Sequence, residues 1–214
     1  MYVKRKMTAN PYTISFDAPI NEAIELMREK GIKRIPVMQG EKVVGMLTHV
    51  DIQTLSSPKA TTLSVFELNY LLSKAKVCDA MTKEVITISP DALLEEAAVL
   101  MRENRISSLV VMENNKLVGI ITESDIFDAF IDLLGFREAG SRITVEAADV
   151  PGAIATIGGI FSSFDANITH IAVYRGNAGK SDVVIRTNTI NTDAIEKKLE
   201  ENGYKVVHLI KSEK

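Results

Sequence analysis

Gly45-Met46-Leu47-Thr48-His49-Val50-Asp51 returns 74 positions later as Gly119-Ile120-Ile121-Thr122-Glu123-Ser124-Asp125. Both stretches have one pattern: an apolar run ending on a threonine, with an acid three residues on. The run suits the end of a strand, and the Thr-x-x-Asp spacing suits the start of a helix. Further out, the same offset relates Met7-Thr8 to Met81-Thr82, Thr13-Ile14-Ser15 to Thr87-Ile88-Ser89, and Asp17-Ala18 to Asp91-Ala92. It also relates Leu26-Met27-Arg28-Glu29 to Leu100-Met101-Arg102-Glu103, and no gap is required between residues 7 and 52. The first two thirds of the chain are therefore two copies of one unit.

Each copy predicts a β-α-β-β-α order. Asp17 and Asp91 read as helix starts, followed by apolar residues at helical spacing (Ala23, Leu26, Met27; Ala97, Leu100, Met101). Gly31 suits the end of the first helix. A short apolar strand follows at 35–38 or 109–112, then a polar turn, then a second strand at 43–47 or 117–121. A further helix begins near Asp51 or Asp125. Residues 56–62 have linker composition, and 65–72 read as helical. A unit of about 60 residues has little interior of its own, so two units packed face to face would bury a shared sheet surface.

Two readings fit the repeated Thr-x-x-Asp turn. Thr48 and Thr122 can be N-caps, with Asp51 and Asp125 completing a capping box. Alternatively, free backbone N–H groups and the positive end of the helix dipole seat a phosphate, the threonine hydroxyl donates to it, and the acid accepts from ribose hydroxyls. Two copies in register favour the second reading.

With its V-x-x-x-M-T openings (Val3 to Thr8, Val77 to Thr82) and its closings of glycine, two apolar residues and T-x-x-D, the repeat resembles a pair of cystathionine β-synthase (CBS) domains. The resemblance implies two pseudo-symmetric clefts for adenine nucleotides such as AMP, ADP or ATP, or for S-adenosylmethionine. It places Thr48 and Thr122 against phosphate, and Asp51 and Asp125 against ribose. It sets the base against Tyr12, Thr13 and Ile14 with Lys33, Arg34, Ile35 and Pro36, or against Val85, Ile86 and Thr87 with Ile106, Ser107 and Ser108. Lys33-Arg34 is cationic and Ser107-Ser108 is not, so the clefts need not be equal.

In the last seventy residues, 135–140 read as a hinge and 142–147 as a strand. A turn at Asp149-Val150-Pro151-Gly152 leads to a helix with apolar positions Ile154, Ile157, Ile160, Phe161 and Phe164. Strands at 167–174 and 181–187, a helix at 192–201 and a strand at 204–210 complete a ferredoxin-like β-α-β-β-α-β order. The D-x-P-G turn, with Asn167-Ile168 opening the second strand, is similar to the ACT domain, a regulatory fold that often binds amino acids. That likeness implies a ligand at Asp149, Gly152, Ala153, Asn167 and Ile168, beside a neighbouring subunit's sheet. Turn chemistry alone explains the same residues. The order CBS, CBS, ACT resembles the acetoin-utilisation protein B family. The expected fold is thus α/β (α+β), with CBS domains at 1–62 and 63–134 and an ACT domain at 140–214.

Composition narrows the function. The 214 residues are 46% hydrophobic and 25% charged, with a net charge of −3, which does not suit an extended nucleic-acid footprint. The basic cluster Lys4-Arg5-Lys6 is either a solvated terminus or a phosphate contact. Cys78 is the single cysteine, so no internal disulfide forms, and no run is apolar enough to cross a bilayer. His49, His170 and His208 lack the spacing of a metal site, and neither a P-loop nor a nucleophile elbow is present. These features predict a cytoplasmic, non-catalytic protein with no metal and no catalytic cofactor, and the CBS and ACT resemblances imply a homodimeric sensor of an adenine nucleotide. The alternative is a ligand-independent adaptor docking on a metabolic enzyme.

Overall fold

The structure is a computed structural model and describes residues 1–56, 74–176 and 179–212. It divides into two compact units, residues 1–126 and 127–214. The helix expected at 65–72 and the boundary at 62/63 lie outside the described residues.

In the first unit a 3₁₀ turn, Val3–Arg5, precedes β1 (Thr8–Ala9), β2 (Ile14–Ser15), α1 (Ile20–Lys30), β3 (Arg34–Gln39), β4 (Lys42–Thr48) and α2 (His49–Ser56). The second copy runs α3 (Val77–Ala80), β5 (Thr87–Ile88), α4 (Leu94–Asn104), β6 (Ser108–Glu113), β7 (Lys116–Thr122) and α5 (Glu123–Leu133). One sheet has the order β2-β3-β4 and the other β1-β7-β6-β5. In each, a parallel pair (β2 with β3, β5 with β6) precedes an antiparallel hairpin. The two sheets share an apolar layer of Met46, Val110 and Ile120, with Val43, Val85, Met112 and Leu117 against it.

The openings of the repeats are exchanged. β1, from the first copy, pairs antiparallel with β7 of the second, setting Thr8 opposite Ile120. Met46 of the first copy exchanges both backbone hydrogen bonds with Thr82 of the second, each 2.9 Å. Val77 donates its N–H to the carbonyl of Ala18, and Val3 donates to that of Ala92, each at 2.9 Å. Val77 and Met81 are buried in the first copy's core beside Ile20, Ile35 and Leu47. The V-x-x-x-M spacing is one helical turn, which puts the valine and the methionine on one side of the segment that enters the other repeat. Each fully buried valine contributes about 1.5–3 kcal/mol relative to leaving it exposed.

The helix starts differ from the sequence reading. Asp17 and Asp91 do not cap: α1 begins after Pro19 and α4 after Leu93. Asp17 instead accepts from Ser15 Oγ at 2.6 Å, and Asp91 from Lys4 Nζ at 2.6 Å. Backbone partners take over the capping, Ile20 N–H to the Ala75 carbonyl (3.0 Å) and Leu94 N–H to that of Met1 (2.9 Å). The helix ends match expectation at Gly31, which is left-handed with φ +64°. The equivalent of Gly31 in the second copy is Arg105, also left-handed with φ +53°.

The second unit contains β8 (Gly140–Ala148), α6 (Ala153–Ser162), β9 (Ile168–Arg175), β10 (Lys180–Thr187), α7 (Asp193–Glu201) and β11 (Lys205–Ser212). Its sheet order β11-β8-β10-β9 is antiparallel at every pairing, the ferredoxin-like arrangement. Ile143, Val145, Val183 and Ile185 face Ile157, Phe161, Ile195 and Leu199 in one core. Ile154 and Phe164, expected on the buried face of α6, are exposed, and the helix stops before Phe164. The expected hinge is docked on its own unit: the buried Arg186 donates to the carbonyls of Glu138 (3.1 Å) and Phe136 (3.4 Å). A Cβ on Gly135 would overlap the ring of His170.

Candidate functional site

The site grows out of the two Thr-x-x-Asp turns. Hairpins β3–β4 and β6–β7 end at Thr48 and Thr122, opposite Arg34 and Ser108 respectively. At the first turn, the Thr48 N–H and hydroxyl both donate to Asp51 Oδ2, at 2.8 and 2.6 Å. The Asp51 N–H returns to Thr48 Oγ1 at 3.3 Å. Thr122 and Asp125 repeat this with 2.8, 2.7 and 3.4 Å. Both turns are therefore closed capping boxes, half-buried rather than sealed. Each box employs Oδ2 of its aspartate, and among the described residues no hydrogen bond ends on Oδ1.

A cleft of about 220 Å³ lies beside the first turn. Thr48 and Asp51 border it from the first repeat; Val85, Ile106, Ser107 and Ser108 border it from the second. The exchange of openings is what brings these together: with Thr82 bonded to Met46, the residues after it run directly past the Asp51 turn. Glu84, Ile86 and Arg105 also line the cleft. Glu84 and Arg105 escaped the sequence reading. The signal for Arg105 was a charged residue standing where the first repeat ends its helix on Gly31.

The other predicted residues are dispersed. Thr87 is exposed in β5 and does not line this cleft. Ile14 and Ile35 are core side chains, 7% and 0% exposed, so only their backbone could meet a ligand. Pro36 is buried in β3. Thr13 lines a separate cavity of about 430 Å³ with Asn10, Met38 and Lys116. Tyr12 is half-exposed, with Lys30 Nζ 5.3 Å from its ring centre. Arg34 is half-buried, and its Nη1 donates to the Ser107 carbonyl oxygen. Burial draws its pKa below the ordinary arginine value, against the opposing pull of Glu123 and Asp125. His49 is exposed at the start of α2 and does not line the cleft, its N–H bonded to the Lys33 carbonyl at 2.9 Å. Lys4 of the basic cluster is paired with Asp91.

In the second unit, one chain does not gather the five expected residues. Asp149 and Gly152 follow the end of β8, where Asp149 Oδ2 lies 3.6 Å from Arg175 Nε. Asn167 and Ile168 stand at the opposite end of the sheet, about 25 Å away along β9. There the Asn167 N–H donates to Asn188 Oδ1 at 3.1 Å. Gly152 caps α6 with φ +91°, and the Ala153 carbonyl accepts from the Tyr204 hydroxyl at 3.4 Å.

The model of the CBS domain matches residues 3–57 and 77–132, that is, both repeats. The chain belongs to the CBS-domain family. The model of the ACT domain matches residues 141–203. Among solved structures, the chain resembles one described as an acetoin utilization protein (AcuB) from Vibrio cholerae, with a TM-score of 0.53 and 27% identity over 64% of this chain and 95% of that one. It also resembles CBSX2 in complex with AMP, with a TM-score of 0.53 and 25% identity over 62% of this chain and 97% of that one. A third is the CBS domain pair of protein MJ0100 in complex with 5′-methylthioadenosine and S-adenosyl-L-methionine, with a TM-score of 0.53 and 25% identity over 64% and 98% of the two chains. Among curated proteins, the CBS-ACT chain is 32% identical over 161 residues to an inosine-5′-monophosphate dehydrogenase from Korarchaeum cryptofilum, 75% of this chain. The match spans only 31% of that dehydrogenase. CBS domain-containing protein YhcV from Bacillus subtilis is 29% identical over 66% of this chain and 92% of its own length. No described helix is long and apolar enough to cross a membrane.

Proposed function

We propose that this CBS-ACT chain is a non-catalytic regulatory protein of the cytoplasm that binds an adenosine ligand in the cleft between its CBS repeats. One observation carries the reading: the Asp51 turn of one repeat and the 105–108 segment of the other border a single cleft. A ligand there touches both copies, so its affinity depends on how they are set, and that difference is all it can spend on shifting an equilibrium. Asp51, with Oδ1 uncommitted among the described residues, accepts from the ribose hydroxyls, and the Thr48 turn faces the phosphate. The bound AMP of CBSX2 and the bound adenosine compounds of MJ0100 support the ligand class. AMP, ADP, ATP and S-adenosylmethionine are the candidates. The ACT unit serves as a dimerisation or amino-acid-sensing module. Because its five candidate residues sit at opposite ends of one sheet, an amino-acid site there requires a second copy of the chain. The CBS-CBS-ACT order supports an acetoin-utilisation role.

Calorimetric titration with these four compounds tests the reading. Binding heat with at least one, lost in the chain carrying both Asp51→Ala and Asp125→Ala, is the expected result; no heat with all four contradicts it. The closed capping boxes favour a second reading, in which the turns are structural and the protein is a ligand-independent adaptor on a metabolic enzyme. Capture of the same partner with and without nucleotide is the outcome that reading requires.

A further inference from the structure

The cavity of about 430 Å³ beside Thr13 lies apart from both Thr-x-x-Asp turns: neither Thr48, Asp51, Thr122 nor Asp125 lines it. It arises because the opening of the first repeat crosses from one sheet to the other. The Asn10 N–H donates to the Val118 carbonyl at 3.1 Å, beside the pairing of β1 with β7, and Ile14 then pairs with Val37 of β3. The crossing segment contributes Pro11, β3 and the turn after it contribute Met38 and Glu41, and the start of β7 contributes Lys116 and Leu117. The volume falls in the range of about 300–1,000 Å³ common to small-molecule pockets.

The lining holds one acid and one base, Glu41 from the first repeat and Lys116 from the second. Among the described residues, neither side chain makes a hydrogen bond or an ion pair. Both stand on fixed backbone. Glu41 belongs to a two-residue hairpin turn whose Gly40 has φ +60°, and Lys116 is paired across its own hairpin with Glu113, which does not line the cavity. Charges placed in advance cost a ligand little ordering. Because the acid and the base cancel, the cavity does not favour a phosphate. An amine alone is repelled by Lys116, and a carboxylate alone by Glu41; a zwitterion answers both. The apolar Pro11, Met38 and Leu117 leave room for a hydrocarbon side chain, and a methionine adapts its shape readily.

We propose that this cavity binds a free α-amino acid with an aliphatic side chain, its ammonium on Glu41 and its carboxylate on Lys116. Such a ligand ties the hairpin of one repeat to β7 of the other. The repeat offset makes the site single: Lys42 corresponds to Lys116, but Asn115 stands in the place of Glu41. The proposal does not rest on the adenosine reading or on a ligand at the ACT unit.

The test titrates the full chain with L-leucine, followed by amide NMR, beside isoamylamine and isocaproate, which each lack one of its two charges. The signals of Gly40, Glu41, Lys116 and Leu117 are expected to shift together. Leucine is expected to bind about fivefold or more tighter than either analogue, the scale of an exposed charge pair. Lys116→Met should weaken leucine by about fivefold and bring isoamylamine within about twofold of it; Glu41→Gln should do the same for isocaproate. A merely structural role would not reorder the ligands in this way. No shift of these four signals at about 10 mM leucine overturns the proposal, as do shifts confined to the ACT unit. Analogues that match leucine on the native chain overturn it too, as do two variants that leave leucine binding unchanged.

Discussion

The side chain of Met81 lies against the backbone of Gly45, where an added Cβ would overlap its sulfur, and Met7 stands in the same relation to Gly119. The glycine belongs to the closing motif of one repeat and the methionine to the opening motif of the other. The two signatures of the family are thus halves of one contact, made twice. That contact fixes how the openings cross, and the crossing assembles the cleft beside Asp51.

Gly45→Ala should therefore be costly although the backbone there needs no glycine conformation. Met81 and the Thr82 carbonyl must move, and overpacking of this kind costs about 1–3 kcal/mol. Gly158→Ala, in α6 with nothing near an added Cβ, should gain about 0.5–1 kcal/mol from helix propensity. Thermal or urea melting of the two variants checks the pair; equal effects would contradict the contact.

Arg105 ends α4 in the left-handed conformation that Gly31 adopts freely. Arg105→Gly should raise stability by about 0.5–1 kcal/mol by removing that strain. It also takes a cation out of the Asp51 cleft. A melt without ligand and a titration with one separate the two effects.

Loss of either capping box should be visible without any ligand. Asp51→Ala and Asp125→Ala each remove two bonds to the preceding threonine and should cost about 1 kcal/mol. Asp51→Asn keeps an acceptor for the cap and should cost clearly less. If nucleotide binding falls in Asp51→Asn while the melt stays near native, the acid has a role beyond the cap.

In the ACT unit, the hydrogen-bonded Lys180 ammonium, 2.7 Å from Glu146, holds that carboxyl below the ordinary carboxylate range. A carboxyl depressed on folding contributes stability at pH values above its unfolded pKa, and that contribution fades as pH falls through the folded pKa. Lys180→Met should bring the Glu146 titration back up toward its ordinary value, read by NMR on the carboxyl carbon. An unchanged midpoint would mean the pair does not persist in solution.

Much of this architecture was legible because the repeat is written in the chain twice. The strand and hairpin positions, the Gly31 stop and the buried helical positions Met27 and Met101 follow from periodicity and agree with the structure. What internal similarity cannot convey is which copy an element serves. Val77 and Met81 look like the start of the second repeat and are core residues of the first. Asp17 and Asp91 misled because a short polar turn before a helix mimics a cap when the true N-terminus is satisfied by a distant carbonyl. The two ACT motifs show separation within one copy. They lie close in sequence but flank a crossover, so the fold sends them to opposite ends of the sheet.

The crossed cleft is tested most directly by amide NMR of the full chain titrated with AMP. The account predicts that the signals of Thr48 and Asp51 from one repeat shift together, at one affinity, with those of Ser107 and Ser108 from the other. Shifts confined to residues of a single repeat, or no shift at saturating AMP, would contradict it.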